Sequence, residues 1–165
     1  MNYRRIINSI GQLGLFISIF FAHTSWAQQV QPYKTGDWSQ ILSKYSKPFI
    51  VHVWGTTCAP CRAELSSWGK LIHQEKHIPI IFLQVDNAPK EIVAKMISNA
   101  QLSQAQHFSS ESPFDEYFRY EIDTHWNGET PFTLFIDKQG KAISSVGPTN
   151  FDTVKAWLIK YEVNR

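Results

Sequence analysis

Short apolar runs and longer runs with helical spacing alternate along the chain. Three of the short runs are mainly apolar and rich in β-branched or aromatic residues: residues 48–55, 78–86 and 130–137. Runs of this length and composition predict strands that are buried on both faces of a sheet. The third run is followed by the turn KQG and then by KAISSVG (141–147), which predicts an antiparallel hairpin at the end of the chain's sheet.

Apolar residues at helical spacing predict helices between these strands and after them. Asp37 is placed to cap the first helix, and Pro89 is placed to start the third. The predicted helices cover residues 38–46, 59–76, 89–100, 113–120 and 150–163. Strands that alternate with helices, with a hairpin last, predict an α/β fold in which helices flank both faces of a central mixed β-sheet.

The first 27 residues have the layout of a secretory signal peptide. Arg4 and Arg5 give a basic start, residues 13–22 are almost wholly apolar, and SWA (25–27) supplies small residues before a cleavage site. The apolar core is about half of the roughly 20 residues that a transmembrane helix needs. We therefore predict cleavage after Ala27 and export to the periplasm, with no stable membrane insertion afterwards. The predicted organisation is a signal peptide (1–27), an N-terminal extension (28–36) and one folded domain (37–165).

The charge of the mature chain excludes some partners. The full chain has 16 Lys and Arg residues against 14 Asp and Glu residues, and Arg4 and Arg5 leave with the signal peptide. The mature chain is therefore close to neutral, which argues against binding to nucleic acid or to an anionic membrane.

Both cysteines of the chain, Cys58 and Cys61, lie in CAPC at the junction of a predicted strand and a predicted helix. A disulfide that closes so short a loop stabilises the fold by only about 2 kcal/mol, against ~4.7 for a hundred-residue loop. Two thiolates alone also leave a tetrahedral zinc site incomplete. The spacing therefore favours a redox-active pair over a structural disulfide or a metal site, and we expect no cofactor.

The segments FIVHVWGTTCAPCRAEL and TPFTLFIDKQGKAISSVG resemble the exported TlpA/ResA/DsbE group of the thioredoxin-like superfamily. The resemblance covers nearly all of the mature chain. It implies a thioredoxin fold and a periplasmic thiol–disulfide oxidoreductase. Most members of the group are reductants, and several serve cytochrome c maturation. The implied partners are disulfide-containing exported proteins, apocytochrome c among them, and a membrane electron donor.

Position by position, the resemblance assigns Cys58 as the attacking thiol and Cys61 as the resolving one. Pro131 matches the cis-proline that faces the disulfide, Glu64 matches a glutamate of this group, and Trp54 belongs to the shared motif. We assign substrate binding to Trp54 and to Thr130, whose backbone is free to pair with an extended substrate segment.

Two positions depart from thioredoxin itself. Thr57 stands where thioredoxin has a tryptophan before its first cysteine, and His52 stands where thioredoxin buries an acid. His52 alternates with Ile50 and Trp54 along its strand and so faces the side beneath the cysteines. Two roles remain open for it, a hydrogen-bonded core histidine and a proton relay.

Cys58 precedes a helix, where backbone N–H groups and the helix dipole lower the pKa of a thiol. Glu64 shares a helix face with Cys61 and could take its proton during resolution. Thr57 could donate a hydrogen bond to the Cys58 thiolate, and Arg62 could approach it. Glu64 acts in the other direction, because a nearby negative charge favours the disulfide form.

The balance of these effects predicts a reductant of periplasmic disulfides. A disulfide-forming oxidase is the alternative within the same class. The alternative from a different class is a Cu(I)-binding chaperone that holds copper through Cys58, Cys61 and a histidine. The copper-delivering relatives have three residues between their cysteines, whereas CAPC has two.

Overall fold

The structure, a computed structural model, describes residues 30–74 and 79–162. The predicted signal peptide and its cleavage site lie outside these residues. Within the described part of the chain, the strands are β1 (Gln31–Tyr33), β2 (Phe49–Trp54), β3 (Ile80–Gln84), β4 (Gln106–Ser110), β5 (Phe132–Ile136) and β6 (Ala142–Val146). The helices are α1 (Trp38–Lys44), α2 (Ala59–Gln74), α3 (Lys90–Asn99), α4 (Glu116–Ile122) and α5 (Phe151–Glu162).

The six strands form a single sheet in the order β1-β4-β3-β2-β5-β6. β1, β4, β3 and β2 are parallel to their neighbours, whereas β5 is antiparallel to β2 and β6 is antiparallel to β5. All six residues of β2 are buried, as its continuous apolar run predicts for a strand covered on both faces. The predicted α/β fold with a mixed sheet is therefore confirmed, and so is the late hairpin.

Alternate residues of β2 enter two separate cores, one on each face of the sheet. Ile50 and Trp54 pack with residues of α2, α3 and α5, while Phe49, Val51 and Val53 pack with residues of α1 and α4. Each face of the sheet is thus covered by helices, as predicted. No helix within residues 30–74 and 79–162 is long and apolar enough to span a membrane.

Two strands were not predicted, because their sequences lack the apolar character of buried strands. β4 reads QHFSS, and its last four residues are buried although three of them are polar. Side-chain hydrogen bonds make this burial possible: Ser109 donates to Gln84 Oε1 at 2.5 Å, and His107 Nε2 lies 2.8 Å from the carbonyl oxygen of Leu102. β1 lies inside the predicted N-terminal extension and pairs with β4 at the edge of the sheet.

The capping of α1 and the first residue of α4 differ from the sequence predictions. Asp37 precedes α1, but its side chain forms no capping bond; it accepts from the Lys34 N–H and the Gln40 amide instead. The predicted start of α4 at residue 113 was too early, since the helix begins at Glu116. Asp115 caps α4 by accepting from the Phe118 N–H at 3.0 Å.

Candidate active site

Cys58 and Cys61 lie at the carboxyl end of β2, where α2 begins at Ala59. They form a disulfide with an S–S distance of 2.08 Å. The two sulfurs are unequally accessible, because Cys58 is partly exposed and Cys61 is completely buried. The backbone N–H of Cys61 points at Cys58 Sγ from 3.2 Å, so the first turn of α2 presents a donor to the accessible sulfur.

The segment before β5 lies directly against this sulfur. The carbonyl oxygen of Thr130 is 3.5 Å from Cys58 Sγ, and the Thr130–Pro131 peptide bond is cis. Pro131 is buried, and its carbonyl oxygen accepts from the Gly147 N–H at 2.8 Å. Cys58, Thr130 and Pro131 are therefore brought together, although 72 residues separate Cys58 from Thr130 in sequence.

Trp54 does not line an accessible surface. Its side chain is only 1% exposed and packs in the same core as Cys61. The predicted direct contact between Trp54 and a substrate does not fit this position, because the ring is enclosed in that core. The alternation of residues along β2 turns its last side chain towards the α2 side of the sheet.

A cleft of about 730 Å³ opens beside Cys58. Its walls come from the connections that follow β2, β3 and β4, and from the residue before Pro131. Parallel strands bring their carboxyl ends to the same edge of the sheet, where open α/β sheets usually bind ligands. The lining residues are Gly55, Thr57, Cys58, Thr130, residues 85–87 and residues 110–114.

Asp86, which the sequence analysis missed, holds the loop before Cys58. Its carboxylate accepts from the N–H and the hydroxyl of Thr56, both at 2.8 Å. It also accepts from the N–H of Thr57 at 2.9 Å and from the Thr57 hydroxyl at 3.1 Å. Burial by itself raises the pKa of Asp86, but these hydrogen bonds outweigh it and hold the pKa below 3.8.

A second layer of polar side chains supports Asp86. The Gln84 amide donates both to the backbone carbonyl and to the carboxylate of Asp86. Gln84 is itself completely buried and accepts from Ser109 on β4. The sequence does contain a signal for this site, since Asp86 is the polar residue that ends the second apolar run. The carboxyl end of that strand adjoins the carboxyl end of the strand before the cysteines.

Asp86 changes the prediction made for Thr57. The Thr57 hydroxyl donates to the carboxylate of Asp86, so it is not directed at the Cys58 sulfur as a second donor. Arg62 is exposed and borders a separate surface depression with residues of α3. Within the described residues, no group of three or more His, Cys, Asp or Glu side chains is placed to hold a metal ion.

Glu64 and His52 form a buried pair on the inner side of α2. Glu64 is 7% exposed, and His52 is not exposed at all. His52 Nε2 lies 3.1 Å from Glu64 Oε1, within ion-pair distance but without the alignment of a hydrogen bond. On the other side of the carboxylate, the Thr149 N–H donates to Oε2 at 2.7 Å and the Thr149 hydroxyl donates to Oε1 at 3.1 Å.

Burial and the contacts of this pair shift the pKa of both side chains. Burial raises the pKa of Glu64, but the contacts with His52 and Thr149 outweigh it and hold the pKa below 4.5. Burial lowers the pKa of His52 below 6.5, and the neighbouring Glu64 carboxylate offsets this only in part. Glu64 and Cys61 are three residues apart on the buried face of α2, as the sequence predicts.

Comparisons with known proteins agree with this geometry. Residues 29–105, which include both cysteines, match the family model described as thioredoxin. No protein with a curated description matches the sequence significantly.

Several solved structures share the fold at low sequence identity. A secreted Mycobacterium tuberculosis disulfide oxidoreductase homologous to E. coli DsbE is 16% identical, with a TM-score of 0.57 over 72% of this chain and 84% of that one. A putative thiol–disulfide oxidoreductase from Bacteroides vulgatus is 23% identical, with a TM-score of 0.53 over 74% and 79%. A thiol:disulfide interchange protein of the thioredoxin family from Chlorobium tepidum is 21% identical, with a TM-score of 0.55 over 73% and 84%.

The solved structures establish the thioredoxin fold. Within this fold, residues 29–105 match the thioredoxin family model, and the CAPC pair at the start of α2 forms a disulfide. The chain therefore has the thioredoxin fold, and its thioredoxin-like part carries a cysteine pair in the arrangement that thiol–disulfide exchange requires.

Proposed function

We propose that the mature chain reduces disulfides of exported proteins in the periplasm. The observation that carries the proposal is the unequal exposure of the two cysteines. Cys58 is partly exposed at the wall of a large cleft, whereas Cys61 is completely buried behind it. A substrate sulfur can reach only the first of these, which is what a division into attacking and resolving thiols requires.

In the first step, the reduced protein attacks with the Cys58 thiolate. The thiolate forms a bond to one sulfur of the substrate disulfide, and the other substrate sulfur leaves as a thiolate and takes up a proton. The Cys61 N–H, 3.2 Å from Cys58 Sγ, supports the charged form of the attacking sulfur. The substrate lies in the cleft, and the backbone of Thr130 beside Pro131 is placed to pair with an extended segment of it.

In the second step, Cys61 resolves the mixed disulfide. It gives up its proton, forms a bond to Cys58 Sγ, and releases the second substrate cysteine as a thiolate. Glu64 is the carboxylate on the buried face of α2 and accepts the proton of Cys61 in this scheme. The products are the reduced substrate and the Cys58–Cys61 disulfide, so a membrane electron donor must reduce the pair before the next cycle.

Mixed-disulfide trapping tests these roles. Cys61→Ser leaves the attacking thiol without its resolving partner, so we expect disulfide-linked complexes with exported proteins to accumulate. Cys58→Ser, the matched control, retains only the buried thiol and should trap almost none. Mass spectrometry of the trapped complexes would identify the substrates and show whether apocytochrome c is among them. Equal trapping by the two variants would contradict the assignment.

Export is supported by the signal-peptide layout of residues 1–27. We expect the exported protein to begin at Gln28. Intact mass measurement of protein recovered from the periplasmic fraction checks this, and a mass that includes Arg4 and Arg5 would contradict it.

A further inference from the structure

His52 contacts a polar group with each of its ring nitrogens, although it lies in an apolar core. Nδ1 is 3.0 Å from the Thr133 hydroxyl on β5, and Nε2 is 3.1 Å from Glu64 Oε1 on α2. The ring packs against Trp68 at a centroid distance of 4.8 Å and against the edge of Phe82 at 5.7 Å. Of these neighbours only Glu64 titrates, and His107 of β4 lies beyond Phe82, on which its ring stacks.

The partners of the ring can adapt to a change in its protonation. With Glu64 ionised and His52 neutral, Nε2 carries the proton and faces the carboxylate, while Nδ1 accepts from the Thr133 hydroxyl. When the pair gains one proton, Nδ1 can carry it and the hydroxyl can rotate to accept instead. The same side chains therefore remain beside the two ring nitrogens in both states, without movement of the backbone.

A small cavity of about 50 Å³ lies beside the two threonines that contact this pair, on the side of β6 and α5. Its inner wall includes Thr133 and Thr149, the residues whose hydroxyls contact His52 and Glu64. Its outer wall includes the exposed residues Ser145, Asn150 and Thr153. Phe135 and Val154 complete the lining, and a cavity of this size with polar groups in its wall has room for a water molecule. It lies apart from the substrate cleft, whose lining shares no residue with it.

We propose that His52 and Glu64 together hold the proton that Cys61 releases, and that they exchange it with solvent through the cavity between Thr133 and Thr149. The inference rests on the proposed function, because it concerns the step in which Cys61 resolves the mixed disulfide. His52 acts through Glu64 and is a positioning residue that shares the proton, not a residue that touches the reacting sulfurs.

Resolution of the mixed disulfide by this route needs no reactant beyond the protein and its substrate. Cys61 transfers its proton to the Glu64–His52 pair and becomes a thiolate, which attacks Cys58 Sγ and expels the substrate thiolate. The protonated pair then loses its proton through the cavity, or the leaving substrate thiolate takes it up. Because a substrate bound through Cys58 occupies the cleft, a route on the opposite side lets the pair reset while the substrate is still bound.

A single carboxylate is poorly suited to this task. A general base works best when its pKa is near the pH of the reaction, and a carboxylate titrates well below neutrality. A histidine coupled to that carboxylate titrates as part of a pair, with ionisations that belong to both groups. The pair therefore accepts a proton from a thiol more readily near neutral pH than Glu64 would alone.

The test measures the two steps separately by rapid mixing of the reduced protein with an aromatic disulfide reagent. His52→Gln retains an amide that can donate to Glu64 but cannot titrate. We expect mixed-disulfide formation to be unchanged and resolution to slow at least about tenfold near neutral pH. The acid limb of the resolution rate should also move to higher pH, so that the rate rises about tenfold per pH unit up to the pKa of Cys61.

Thr133→Val removes the hydroxyl that must switch between donor and acceptor, with little change in volume, and should slow resolution several-fold. Thr124→Val, at an exposed position that lines neither the cleft nor the cavity, is the matched control and should leave both steps unchanged. If His52→Gln fails to fold, the pH profile of Thr133→Val decides the question.

The inference would be overturned by parent-like resolution rates and an unchanged pH profile in His52→Gln. Where His52→Gln does not fold, the same result in Thr133→Val would overturn it. The unsubstituted protein in the same experiment separates this failure from failure of the proposed function. If that protein forms no mixed disulfide through Cys58, the assigned reaction itself is wrong.

Discussion

The Asp86 carboxylate accepts hydrogen bonds from both the backbone N–H and the hydroxyl of Thr57, the residue directly before Cys58. Asp86 belongs to the β3 side of the sheet, and Thr57 belongs to the loop that leaves β2. The bonds therefore fasten the loop before the accessible cysteine to a neighbouring strand end. They also place a negative charge next to the residue that precedes the accessible sulfur.

Asp86→Asn tests both consequences. One carboxylate oxygen becomes an amino group that faces donors, so we expect the free energy of unfolding to fall by about 1–3 kcal/mol. The pKa of Cys58 in the reduced protein should also fall, because a nearby negative charge disfavours the thiolate. Urea unfolding and the ultraviolet absorbance of the thiolate measure the two effects. Asp152→Asn, an exposed carboxylate on α5, is the control, and an equal effect there would contradict the specific role of Asp86.

The sequence alone was sufficient to predict strands and helices where the buried residues are also hydrophobic. β2 and α2 follow the apolar pattern, and that pattern puts the cysteines at a strand–helix junction. β4 could not be predicted in this way, because His107, Ser109 and Ser110 are buried by virtue of hydrogen bonds that form only in the folded chain. Tertiary partners outweigh local preference at such positions.

Within the candidate site, too, some residues carry a local sequence signal, whereas other contacts form only in the folded chain. Cys58, Cys61, Thr130 and Pro131 carry recognisable sequence signals, and the structure places them together. The contacts of Glu64 with His52 and Thr149 join residues that are 12 and 85 positions apart. No local pattern encodes such contacts, so the sequence could offer two roles for His52 but could not identify its partners.

Gly69 is a second position at which tertiary structure overrides a local rule. Alanine is favoured over glycine within a helix by about 1 kcal/mol, so propensity alone predicts that Gly69→Ala stabilises α2. A Cβ atom at this position would lie 1.9 Å from the backbone carbonyl oxygen of Ala100, which cannot rotate away as a side chain could.

We therefore expect Gly69→Ala to lower the free energy of unfolding by about 1–3 kcal/mol, the usual cost of overpacking. The urea midpoint of the oxidised protein measures the change. Ser66→Ala, at an exposed position on the same helix, should shift the free energy by no more than about 0.5 kcal/mol. A Gly69→Ala variant more stable than the parent would show that α2 and Ala100 are not packed so closely.

The buried pair of His52 and Glu64 predicts how stability depends on pH. Because the folded-state pKa of His52 lies below 6.5, the unfolded chain binds this proton more readily, and the stability of the folded state falls as pH drops below about 6.5. The folded-state pKa of Glu64 lies below 4.5, so further stability is lost as pH falls through that lower range. Both groups act in the same direction, towards acid sensitivity.

Urea unfolding at several pH values checks this dependence. His52→Gln should give a flatter curve between about pH 7 and 5, since one proton-linked group has been removed. His107 is also buried with a lowered pKa, so the difference between variant and parent, not the parent curve alone, isolates His52. The exposed His125→Gln serves as the control. Identical slopes for parent and His52→Gln would contradict the depressed pKa.

The direction of electron flow follows from the groups that contact Cys58. A strong oxidant owes its potential to an over-stabilised thiolate in the reduced form. Here the Cys61 N–H is directed at Cys58 Sγ, whereas the Thr57 hydroxyl is held by Asp86. Ala59 and Pro60 add no charge, and Arg62 is exposed on another side of α2.

The carboxylate of Asp86 opposes the thiolate and favours the disulfide form, which lowers the reduction potential. We therefore expect equilibration against glutathione to give a potential below about −200 mV, nearer to thioredoxin at roughly −270 mV than to the strong periplasmic oxidant at ~−120 mV. Asp86→Asn should raise the potential, and Asp152→Asn should leave it unchanged. In cells that retain the membrane donor, thiol labelling should find Cys58 and Cys61 largely reduced. A potential near −120 mV, with both cysteines oxidised in cells, would instead make the protein a disulfide-forming oxidase.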